Sequence, residues 1–113
     1  MTRVEVQGFD HVAIWVSDVR KSADWYITHL GLERAGDAGN HVFLRMPNGE
    51  VLALFQTSDP NQIGDGVHHL AFKLTAGTEE EVLDTLRQKN IPLTQRGPSL
   101  SFQDPDGHWI HFS

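Results

Sequence analysis

A chain of 113 residues, 39% hydrophobic and 21% charged, is sized and composed for one globular domain. It has no cysteine, which excludes disulfides, thiolate nucleophiles and cysteine metal ligands; its net charge of −6, with nine scattered Lys and Arg, excludes the basic cluster of a nucleic-acid footprint. No apolar run is long enough to span a bilayer, and the opening "MTRVEVQGFD" lacks the apolar stretch of a secretory leader, so a cytoplasmic protein bound to neither nucleic acid nor membrane is expected.

The first strand signal is "HVAIWV". Ser17 or Asp18 can then cap a helix whose apolar positions Val19, Ala23, Tyr26 and Leu30 follow helical spacing, and Gly31 ends it. Trp25 reads as a partly buried core aromatic on this helix, and His29 as a favourable charge at its C-terminal end. A short strand follows, then a hairpin turning at "PNG". The next strand is "HHLAFKL". "TEEE", Thr78 to Glu81, has the form of a capping box for a second helix with Val82, Leu83 and Leu86 as its buried stripe and Asn90 as its stop. Another short strand and a hairpin turning at "PDG" complete the chain, with His108 in the turn expected to be exposed.

The chain is written twice. His11 and His69 are 58 residues apart, and so are Pro47 and Pro105, and Gly49 and Gly107. The fold class is therefore α+β: two tandem βαβββ modules in a single domain over residues 1–113, the first about 8–57 and the second about 66–113, forming a cup-shaped mixed β-sheet with helices on its outer face.

Strand alternation assigns the faces. Val12, Ile14 and Val16, Val42 and Leu44, and Leu52 and Leu54 form the rows under the first helix; Leu70, Phe72 and Leu74, Leu100 and Phe102, and Ile110 and Phe112 do so in the second half. The open face receives His11, Ala13 and Trp15; His41, Phe43 and Arg45; Val51, Ala53 and Phe55; and, in the second half, His69, Ala71 and Lys73, Ser99, Ser101 and Gln103, and Trp109 and His111. His68 falls on the helix side or at a frayed strand start, and reads as structural. His41 is left without a role. Gln56 is on the helix side. Four repeat-related open-face positions hold His11, Ala53, His69 and His111. Three imidazoles converging in a concave sheet suit a divalent transition metal with open coordination positions, here Zn, Ni, Fe, Mn or Cu. Trp15, Phe43, Phe55 and Trp109 can line an apolar pocket, or fill a dimer or module interface. Arg45, Lys73 and Gln103 are candidates for an anionic or carbonyl substrate, or solvated rim residues.

At "FDHVAIWVSDVRKSADWYITHLGLE", "GVHHLAFKL" and "FQDPDGHWIHF" the sequence resembles the vicinal oxygen chelate superfamily, which includes glyoxalase I, bleomycin- and fosfomycin-resistance proteins and extradiol dioxygenases. The resemblance implies paired βαβββ modules, a homodimer, and metal positions at His11, Ala53, His69 and His111. Where the metal enzymes usually carry a carboxylate this chain has His111, and where glyoxalase I carries another it has Ala53, so ordinary glyoxalase I chemistry is not implied. The expected function is a metal-dependent small-molecule enzyme of the glyoxalase or dioxygenase-like group, the metal chelating substrate oxygens. The alternative is a metal-free binding protein of the bleomycin-resistance kind.

Overall fold

The computed structural model describes residues 8–112; the leaderless reading of the first seven residues, and Ser113 of the second module, lie outside the described residues. The chain runs β1 (His11–Val16), α1 (Val19–Leu30), β2 (Glu33–Asp37), β3 (His41–Arg45), β4 (Val51–Gln56), β5 (Leu70–Phe72), α2 (Glu79–Gln88), β6 (Thr94–Arg96), β7 (Ser99–Gln103) and β8 (Trp109–Phe112). It is an α+β fold of two βαβββ modules. Each forms a four-stranded mixed sheet, β1-β4-β3-β2 and β5-β8-β7-β6, with the first strand parallel to the last.

Local chemistry explains the elements. Asp18 caps α1, its carboxylate accepting from the Arg20 and Lys21 amides at 3.1 Å, and Gly31 closes the helix in the left-handed region at φ 71°. The hairpin turns obey the repeat in their hydrogen bonds. Gly49 donates to Met46 as Gly107 does to Asp104, and Met46 donates to Glu50 as Asp104 does to His108. Positive φ at Gly49 and Gly107 is what each turn requires. The capping box is not formed. Thr78 is itself helical, at φ −104° and ψ −3°, so its hydroxyl cannot face the helix amides and donates back to the Thr75 carbonyl at 2.7 Å. Asn90 does end the second helical segment, in the left-handed region at φ 60°.

The helix-facing rows meet in one core that includes Ile14, Val16, Tyr26, Leu44 and Leu54 from the first module and Leu86, Phe102, Ile110 and Phe112 from the second. Val12 departs from its row. Sitting at the start of an edge strand beyond the cover of α1, it is 37% exposed. Trp25 holds its expected place, half-buried against Tyr26, His29 and Phe102.

The modules are clasped by the β7–β8 turn. Asp104 is buried and accepts from Tyr26 Oη at 2.7 Å, His108 Nδ1 at 2.8 Å, and the Asp106 and His108 amides at 2.9 Å. Asp106 accepts from the Ser17 amide at 3.0 Å and from the Ser17 and Ser22 hydroxyls. His108 is thus not exposed as expected but buried. Its hydrogen bond to Asp104 raises its pKa against the opposing effect of burial. Tyr26 is pushed far above the ordinary phenol range by burial and by Asp104. His29 also departs from expectation: burial, and then Lys89, lower its pKa, which disfavours the helix-end charge.

Candidate functional site

Both sheets send their helix-facing rows into the common core, so their alternate rows look away from it. Among the described residues, each chain therefore presents two open sheet faces.

On the second face, His69 sits just before β5, and the parallel register Ala71↔His111 brings it beside β8. The His69 and His111 rings lie 4.9 Å apart between centroids. His111 Nδ1 is 3.2 Å from the Phe112 carbonyl; donating there leaves the Nε2 lone pair free. His68 does not turn toward the core. It is exposed, with Nδ1 2.8 Å from His69 Nδ1, a spacing that requires one ring to donate and the other to accept. His68 lies outside the pairing of β5, so strand alternation does not govern it. His68, His69, Arg96, Ser99, Ser101 and His111 line an open depression of about 450 Å³.

The first face is aromatic. His41 stacks on Phe55 with centroids 5.1 Å apart, Phe43 lies 5.1 Å from His41, and Trp15, 40% exposed, meets Phe55 edge-on at 6.3 Å. His41 thus belongs to this wall. His11 is exposed at the start of β1, its Nδ1 2.8 Å from Asp10. Ala53 lies on the same face between its register partners Ala13 and Phe43, and is fully buried. Among the described residues, no three His, Asp or Glu side chains converge within one chain closely enough to hold a metal. Two imidazoles of the expected set are brought together, and the third stands on the other sheet.

The remaining candidates are dispersed. Arg45 is exposed at the end of β3, and Lys73 is exposed just past β5. Gln103 donates to the Gly107 carbonyl at 3.2 Å and so braces its own turn. Trp109 lies under Arg96, whose guanidinium carbon is 4.1 Å from the ring centroid. Gln56 is on the helix side as expected, accepting from the Val19 amide at 3.0 Å. Arg96 was missed by sequence. Its signal was available, since it pairs with Ser99 across a Gly-Pro turn and register partners share a face.

Paired βαβββ modules whose open faces carry histidines, aromatics and an open depression define the architecture. The model of the Glyoxalase/Bleomycin resistance protein/Dioxygenase superfamily matches residues 8–112, and the chain belongs to that superfamily. Its fold is shared by a glyoxalase/dioxygenase from Nostoc punctiforme, 22% identical over 99% of this chain and 96% of that one, with a TM-score of 0.77. A lactoylglutathione lyase from Agrobacterium tumefaciens is 21% identical over 95% and 92%, also at 0.77. A fosfomycin resistance protein from Listeria monocytogenes is 15% identical over 96% and 91%, at 0.75. At these identities the likeness is one of fold.

Proposed function

We propose that this protein is a divalent-metal-dependent small-molecule enzyme of the glyoxalase or dioxygenase-like group, working as a homodimer. His69 and His111 of one protomer, with His11 of the other, hold the metal. The observation that carries this reading is the pair of imidazoles in the second-sheet depression, with their repeat mate bare on the opposite half of the same chain. The two open sheet faces of each chain are completed by a twofold partner, which sets the first face of each protomer over the second face of the other.

The nitrogen donor set fits Zn, Ni, Fe or Cu better than a hard oxygen-loving ion. When bound, such a metal supplies Lewis acidity to chelated substrate oxygens. The chain's own residues do the rest. The Phe112 carbonyl fixes the His111 tautomer. His68, as acceptor from His69 Nδ1, turns the His69 Nε2 lone pair outward. The wall of Trp15, Phe43 and Phe55 excludes water and packs the apolar part of a substrate.

Elemental analysis and metal titration of untagged protein test the reading. Up to one ion per chain is expected, with affinity lost in His111→Ala and in His69→Ala. The exposed aromatic wall favours a second reading, a metal-free binding protein, and a clean absence of metal across Zn, Ni, Fe, Mn and Cu would favour that reading instead.

A further inference from the structure

We propose that Arg96 is the anchor for an oxyanion of the bound small molecule, so that the ligand of this site is a small organic carboxylate or phosphonate. The inference deepens the function proposed above and rests on the same depression being the ligand site. Arg96 ends β6, and its guanidinium lies 4.1 Å over the Trp109 ring. Contact with the face of the indole steadies the guanidinium, whose fork of N–H donors can receive two oxygens of one anion. Among the described residues Arg96 has no carboxylate partner within ion-pair distance.

The surroundings agree. Among the described residues no Asp or Glu lines the depression, although the chain carries 15 acidic residues against nine Lys and Arg. The Ser99 and Ser101 side chains share the lining with Arg96, so hydroxyl donors stand beside the one permanent cation among the described lining residues. An acidic protein whose described residues place an arginine and no carboxylate in this depression presents a local field that selects anions. About 450 Å³ accommodates a small organic molecule with its anionic end on Arg96 and its remaining oxygens toward the histidines.

Metal-stripped protein, titrated with acetate, with methylphosphonate and with neutral acetamide, tests this by NMR of the backbone amides and the arginine Nε–H. Saturable shifts at Arg96, Ser99 and Ser101 are expected with an anion and not with acetamide. Tighter acetate assigns a carboxylate ligand, and tighter methylphosphonate a phosphonate. Arg96→Gln should weaken the better anion about tenfold or more, and Arg96→Lys, which keeps the charge but loses the planar fork, should fall between. Near-UV circular dichroism of both variants verifies the fold. Equal affinity in Arg96→Gln, or binding of acetamide as tight as acetate, overturns the proposal. Anions that bind only after metal is restored, indifferent to Arg96→Gln, also overturn it while leaving the metal reading intact. Arg96-dependent anion binding in a protein that takes up no metal leaves this inference standing and removes the other.

Discussion

Asp104 carries four donors on its two oxygens, two on each, with the Tyr26 hydroxyl and the His108 ring sharing Oδ2. A buried carboxylate is tolerable when so fully bonded, and costly when a partner is removed. Tyr26→Phe should cost about 2 kcal/mol in urea unfolding, since it strips one donor from a buried charge. His108 adds a pH dependence whose sign follows from its raised pKa. Its stabilisation is complete below the ordinary value of 6.5 and is lost as pH rises through the higher folded value. His29 acts in the opposite sense. Its lowered pKa leaves the folded state short of a proton as pH falls below 6.5, so it penalises acid conditions. Urea midpoints across neutral to mildly alkaline pH should fall in the wild type and flatten in His108→Gln. An unchanged slope in that variant would assign the alkaline loss elsewhere.

The β7–β8 turn is the element that breaks the symmetry of the repeat. Its mate between β3 and β4 carries Met46, Asn48 and Glu50 where this turn carries Asp104, Asp106 and His108, with the same backbone hydrogen bonds in both. The backbone pattern was legible, because Pro and Gly dictate it. The side-chain role was not, because a turn signal says nothing of what the turn touches. Asp106 reaches the start of α1 in the other module, where its charge also meets the positive end of the helix. Asp106→Ala should therefore cost about 1–2 kcal/mol, comparable to losing a helix cap, and speed amide exchange at Ser17. Exchange unchanged at Ser17 would mean that the contact is not held in solution. The Thr78 misreading has a similar source. A capping box is a pattern of residue types, but its hydrogen bond depends on a backbone angle that sequence spacing does not set.

At the scale of the whole molecule, the repeat made the two βαβββ modules and most open-face residues legible, since periods of 2 and 3.6 carry through each half. It said that His11, His69 and His111 occupy equivalent places. It did not say that equivalent places face one another. In one chain the shared core turns the two open faces apart, which leaves His11 on one and the His69–His111 pair on the other. A site built across protomers makes a prediction that a site within one chain does not. Co-express His11→Ala with His111→Ala, each of which alone should abolish metal binding under the proposed arrangement. In the mixed dimer, one cup receives both lesions and the other receives neither. With random pairing, half of the dimers are mixed and each has one intact cup of two, so metal capacity should return to about a quarter of wild type. If all three histidines came from one chain, every site would keep a lesion and no capacity would return. The result therefore decides between the two arrangements without knowledge of the substrate. Separately expressed variants mixed after dimerisation should recover capacity only as fast as protomers exchange, which ties the recovered sites to the subunit interface.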